Sequence, residues 1–124
     1  MTKITTKELT KAEMEIMQVF WKNGAMFLSE LIDDVPEPRP AYTTISTIVR
    51  ILVSKEFVGY TKYGRNFQYY PLISKEDYAQ QALNRVKLNF FGNSTSSMIS
   101  FFAKKEKLSK EEMEELRELI EQED

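Results

Sequence analysis

The chain has 124 residues, room for about one domain or for a small domain with an assembly appendage, and its 42% hydrophobic content is that of a folded protein. It contains no Cys and no His, which removes disulfides, thiolate nucleophiles, the commonest general base and the commonest zinc ligand, so no catalytic, metal or cofactor site is expected. The formal net charge of -2 argues against nucleic acid only if the charge is evenly spread, and it is not.

Thr10-Lys11-Ala12-Glu13 is a capping-box pattern that opens a first helix, whose apolar side is Met14, Met17, Val19, Phe20 and Trp21 and whose stop is Asn23-Gly24. Leu28, Leu31, Ile32 and Val35 predict a second short helix over 28–35, closed by the alternating Pro36, Pro38 and Pro40. A third helix starts afresh and holds Thr43 to Leu52. At 100° per residue Ile45, Ile48, Val49 and Leu52 share one face, while Thr43, Thr47, Arg50 and Ser54 share the other. The period then changes. Residues 57–62 and 67–70, rich in aromatic and β-branched side chains, flank the turn Tyr63-Gly64-Arg65-Asn66, which predicts a two-stranded hairpin with Lys62 and Arg65 at its tip and Pro71 at its end.

Beyond the hairpin, Ser74-Lys75-Glu76-Asp77 caps a long helix carrying Tyr78, Val86, Leu88, Phe90 and Phe91, broken at Gly92-Asn93. A small, polar, flexible stretch, Ser94 to Ser97, runs into a short apolar helix through Met98, Ile99, Phe101 and Phe102. Ser109-Lys110-Glu111-Glu112 is a second capping box, opening a last helix with Met113, Leu116, Leu119 and Ile120 along one side. Three helices of this kind hardly build an independent core. Either their apolar seam of Tyr78, Val86, Phe90, Ile99, Phe102, Leu116 and Ile120 meets a second copy of the chain, or they fold back on their own hairpin. The expected fold class is mainly α with a small β hairpin: a winged helix-turn-helix DNA-binding domain over 1–73 and a three-helix dimerisation region over 74–124.

The charge follows the same division. Between Arg39 and Arg65 five basic residues (Arg39, Arg50, Lys55, Lys62, Arg65) stand against the one acid Glu56, whereas from Ser109 to Asp124 two basic residues stand against eight acids. A local basic patch can hold phosphate on an acidic molecule, because charges beyond about 8 to 10 Å are largely screened at physiological salt. The short hydroxyl-bearing side chains of the third helix can approach base edges and Arg50 can reach guanine or phosphate, so double-stranded DNA is the expected partner. The alternative is a winged-helix protein-interaction module, although such a surface more often shows a Trp, Tyr or Leu anchor. No apolar stretch approaches the roughly 18 to 20 residues needed to cross a bilayer and the N-terminus has no signal-like run, so a cytoplasmic protein without membrane insertion is expected.

In this order of elements the chain resembles the BlaI/MecI penicillinase-repressor family of bacterial winged-helix regulators. The residues that carry the resemblance are Leu9-Thr10-Lys11-Ala12-Glu13 with Met17 and Trp21, Thr44-Ile45-Ser46-Thr47, Phe67-Gln68-Tyr69-Tyr70-Pro71-Leu72-Ile73-Ser74, Phe90-Phe91-Gly92, and Leu108 to Leu116. The resemblance implies a homodimeric transcriptional repressor on a palindromic operator, with the third helix in the major groove. It implies that Thr43, Thr44, Ser46, Thr47 and Arg50 lie toward the DNA and that Lys62 and Arg65 on the wing contact its backbone. It further implies inactivation by cleavage in the C-terminal region, at the bond between Phe101 and Phe102, triggered by a membrane-bound zinc metalloprotease sensor. Three positions depart from the family pattern: Ser46 where some members are basic, Ile51 in place of a phosphate-contacting arginine, and Phe101 in place of the Asn that often precedes the scissile bond. The cysteine cluster of the family's copper-sensing branch is absent.

Overall fold

The structure, a computed structural model, describes residues 7–122; residues 1–6 and the last two acids of the tail, Glu123 and Asp124, lie outside it. Its elements run α1 (Lys11–Asn23), β1 (Met26–Phe27), α2 (Leu28–Asp34), α3 (Tyr42–Ser54), β2 (Val58–Tyr63), β3 (Asn66–Pro71), α4 (Lys75–Phe90), α5 (Thr95–Glu106) and α6 (Lys110–Gln122). The mainly helical fold with a small sheet expected from the sequence is present. The chain divides into two compact units, one reaching Ala82 and one starting at Leu83, so the division falls inside α4 and not at Ile73.

The first unit begins with the capping box read from the sequence. The Thr10 N–H donates to Glu13 Oε1 (2.8 Å) and the Glu13 N–H to Thr10 Oγ1 (3.2 Å), so each side chain satisfies an orphan amide of α1. Glu13 is also buried, 4% exposed, and its Oε1 accepts from Lys55 Nζ at 2.9 Å, tying the start of α1 to the end of α3. Burial by itself would raise the Glu13 carboxyl, but the bond from the Thr10 backbone and the Lys55 ammonium outweigh it and hold the carboxyl below its ordinary range.

A carboxyl with a depressed folded pKa adds stability that is complete above its unfolded pKa and is lost as pH falls through the folded value. Glu13→Gln should therefore cost about 1 to 2 kcal/mol at neutral pH. The difference from the parent chain should shrink as pH falls below about 4.3, the ordinary Glu value. Urea midpoints at a series of pH values check this. A gap that stays constant down to acid pH would show that charge plays no part in it.

The sheet holds three strands and not two, in the order β1-β3-β2 and antiparallel throughout, with Met26 opposite Tyr69 and Tyr60 opposite the same Tyr69 on the other side. Two residues carry no readable alternation, which is why β1 escapes sequence reading. Its role is to clip the base of the wing to the body of the unit, and Phe27, ending β1, donates its N–H to Glu30 Oε1 (2.8 Å) at the start of α2. The hairpin turn requires a positive φ, which Gly64 supplies at +62°. Gly59 is needed for space, since a Cβ there would sit 2.8 Å from the Tyr70 ring.

The core of this unit is formed by Ile16, Met17 and Phe20 of α1, Leu31 of α2, Ile45, Ile48, Val49 and Leu52 of α3, and Phe57, Val58 and Ile73 around the hairpin. The inward face of α3 is the one its periodicity predicts. Tyr78 also belongs here, which corrects its assignment to a dimerisation seam. It is 7% exposed, its ring lies 5.8 Å from that of Phe57 and 6.1 Å from that of Trp21, and its hydroxyl accepts the Leu9 N–H at 2.9 Å. Trp21 in turn donates from Nε1 to the Ile73 carbonyl (2.9 Å). The first turns of α4 are thus part of the first unit's core.

The second unit holds the rest of α4 with α5 and α6. Ser94 caps α5 through the Ser97 N–H (3.1 Å), so Ser94 to Ser97 form a helix start and not the flexible stretch expected. Ser109 and Glu112 form a reciprocal box at α6 (3.1 and 3.3 Å). Among the described residues from Leu83 onward none is buried. Phe90 is 76% exposed and Phe102 59%. Val86, Phe90, Ile99, Phe102 and Leu116 line an open apolar groove of about 960 Å³, with Ile120 exposed outside its lining. The Phe101 ring of α5 meets at a tilt that of Phe91, just beyond the end of α4 (centroids 5.3 Å apart), and Lys105 Nζ lies 5.6 Å from the Phe101 ring centre.

Candidate nucleic-acid interface

Four buried aliphatic residues fix the rotation of α3, and this turns Thr43, Thr44, Thr47 and Arg50 outward, all exposed, with Ser46 half-buried at the edge of the same face. The Thr47 hydroxyl donates to the Thr43 carbonyl (2.9 Å) and Ser54 Oγ to the Ile51 carbonyl (3.0 Å), as hydroxyls on helices commonly do. Lys62 and Arg65 are exposed at the end of the hairpin, one on β2 opposite Phe67 and one in the turn. The sequence-derived set therefore occupies two surfaces of one unit.

Those surfaces adjoin. Tyr42, the first residue of α3, and Arg65, Asn66, Phe67 and Tyr69 of the hairpin border one hollow of about 490 Å³, closed on its third side by Phe27, Leu28, Ser29 and Glu30. Tyr60 and Phe67 meet edge-on at 5.2 Å, and Phe27 supports Tyr63 at 6.1 Å, so aromatic contacts along both strands stiffen the hairpin that carries the two cations. Tyr42 and the aromatic lining were not legible as site residues. Tyr42 lies outside the hydroxyl-and-arginine pattern, and the hairpin aromatics read as ordinary strand formers.

Two of the five basic residues counted in the sequence do not face outward as free charge. Lys55 is committed to Glu13. Arg39 folds back on the end of α2, donating from Nε to the Val35 carbonyl (3.2 Å) and from Nη2 to the Asp33 carbonyl (3.3 Å), with Glu37 Oε1 3.3 Å from its Nε. There it serves as a cation at a helix C-terminus. The outward basic set is Arg50, Lys62 and Arg65, which is smaller than the sequence balance suggested but concentrated on α3 and the wing. Among the described residues no group of His, Cys, Asp and Glu is placed to hold a metal ion, and no helix is long and apolar enough to cross a membrane.

Comparison with known proteins places this geometry. The family model described as penicillinase repressor matches residues 9–122. The chain is 29% identical to the penicillinase repressor of Bacillus licheniformis over 116 residues, 93% of this chain and 91% of that protein. It is 28% identical to the methicillin resistance regulatory protein MecI of Staphylococcus aureus (strain N315), covering 93% and 94%. Among solved structures it is similar to the DNA-binding domain of the repressor BlaI (33% identity, TM-score 0.52, 63% of this chain and 94% of that one). It is similar to the same degree to the monomeric form of B. licheniformis BlaI in complex with the blaP half-operator (33% identity, TM-score 0.51, the same coverage). The match runs from the residue before the first capping box to the last turn of α6, and the chain belongs to the penicillinase repressor family, a family of repressors and not of enzymes.

Proposed function

We propose that the protein is a transcriptional repressor that binds a palindromic operator as a homodimer. The first unit supplies the reading head and the helices from Leu83 onward supply the dimer contact. The observation that carries the reading is that the first turn of α3 and the tip of the wing border one hollow. A major groove admits an α-helix, and the phosphates flanking it then lie within reach of a wing beside that helix. Thr43, Thr44, Ser46, Thr47 and Arg50 approach base edges or adjoining phosphates, and Lys62 and Arg65 contact the backbone. The relative solved on a half-operator as a monomer supports the assignment of DNA contact to the first unit. Val86, Phe90, Ile99, Phe102, Leu116 and Ile120 cover one another across the dimer; the absence of any buried residue from Leu83 onward among those described supports this.

Release from the operator is by cutting between Phe101 and Phe102, which separates α6 from α4, with a membrane-bound zinc metalloprotease sensor as the partner the family resemblance implies. That bond lies in the middle of α5. Proteases take their substrates extended, so cleavage requires α5 to unwind locally and Ile99 and Phe102 to leave the dimer contact, an opening confined to the helices that hold no buried residue within one chain.

Arg65→Ala tests the backbone contact. It should weaken binding to operator and to random duplex about equally and lower the slope of log affinity against log salt by about one unit. Fluorescence anisotropy across a salt series reads both. An unchanged slope would remove the wing from the interface.

A further inference from the structure

The hydrogen bond inside α3 decides what Thr47 can recognise. A threonine hydroxyl has one proton to donate and two lone pairs to accept with. Here the proton is used: Oγ1 donates to the Thr43 carbonyl at 2.9 Å. The rotamer that brings Oγ1 onto that carbonyl leaves the γ-methyl and the oxygen lone pairs as the groups Thr47 offers away from the backbone. Thr47 therefore meets a base edge as a methyl and an acceptor, never as a donor, unless it first breaks its own helix bond. Arg50, exposed on the same face one turn later, is its chemical opposite, with five donors and no acceptor.

In the major groove guanine shows two acceptors, O6 and N7, and suits a donor side chain. An A·T pair shows the adenine N6 amino donor and the thymine methyl on one edge, with the thymine O4 acceptor between them. An acceptor with a methyl next to it matches both features of A·T at once, whereas a G·C pair offers only the cytosine amino group and no methyl. We propose that Thr47 reads an A·T pair in each half-site, its Oγ1 accepting from adenine N6 and its γ-methyl packing on the thymine methyl. Guanine contacts are left to Arg50. The assignment rests on the reading of α3 as the helix in the major groove and adds to it which base pair one residue specifies.

The test is selection from a pool of random DNA duplexes by the full-length chain, run in parallel with Thr47→Ala and Thr47→Val, both suited to an exposed helical position. The parent chain should enrich a two-fold symmetric motif. Thr47→Ala should lose preference at one symmetry-related pair of positions, and these should be A·T. On the selected duplex, replacing that thymine by deoxyuridine should weaken the parent chain and Thr47→Val several-fold and leave Thr47→Ala unaffected. Replacing that adenine by unsubstituted purine, which lacks the N6 amino group, should weaken the parent chain but not Thr47→Val. A Thr47-dependent position that proves to be G·C, a motif unchanged in Thr47→Ala, or indifference of the parent chain to both base analogues would overturn the assignment while leaving the DNA reading intact. If the parent chain enriches no motif, the DNA reading falls and this assignment with it.

Discussion

A chain ended at Ala82 should bind a palindromic operator about 10²- to 10⁴-fold more weakly than the full-length chain, while its affinity for an isolated half-site stays close to that of one protomer. Every buried residue among those described belongs to the unit that ends at Ala82, so the shortened chain keeps its reading head, wing and core. What it loses is the open apolar groove through which two heads would be held together. Binding of the second head is then no longer intramolecular, and the effective concentration that the tether supplied is gone. Titration of labelled half-site and full-site duplexes with both chains measures the two affinities. Equal binding of the full site by the two chains would mean that the helices beyond Ala82 do not couple the heads.

Where the cut is made matters, because Tyr78 sits in the first unit. Tyr78→Ala, made in the chain ended at Ala82 so that assembly plays no part, should cost about 3 to 5 kcal/mol of unfolding free energy, the range for removing a buried aromatic ring. Tyr78→Phe should cost about 1 kcal/mol, since it keeps the ring against Phe57 and Trp21 and removes the hydroxyl that accepts the Leu9 N–H. Ending the chain at Ile73 should be at least as damaging as Tyr78→Ala, because it removes the same ring together with the helix that presents it. Urea unfolding followed by tryptophan fluorescence is well suited, as Trp21 is within 6.1 Å of the Tyr78 ring. If Tyr78→Ala leaves the midpoint unchanged, the start of α4 does not belong to the first unit.

Much of the secondary structure was legible because its signals are local. Thr10 with Glu13 and Ser109 with Glu112 announce helix starts through side chains that reach only three residues, and both boxes are present. The inward and outward faces of α3 follow from periodicity alone, and Gly64 marks the hairpin turn. What stayed hidden depends on distant parts of the chain. β1 has two residues and exists only because β3 lies beside it. Lys55 counts as free charge until Glu13, distant in sequence, is found next to it. Tyr78 shares helical spacing with Val86 and Phe90, and periodicity gives a face of a helix but not which body each of its ends packs against. The site was read in outline, as outward hydroxyls, Arg50 and two wing cations. The hollow joining them, with Tyr42 at its edge, needed the backbone path through α2 and β1 to become visible.

The lack of any buried residue among those described from Leu83 onward has a consequence for dosage. If those helices are secured only against a second copy, their folding is a second-order event, and their melting temperature rises with protein concentration where that of the first unit does not. While most chains are single, the population of paired heads grows with the square of the copy number. Halving the number of chains in a cell then removes about three quarters of the pairs. The operator would respond to synthesis and dilution of the repressor as a threshold, steeper than a single-headed protein of the same affinity could give, before any signal or protease acts on it.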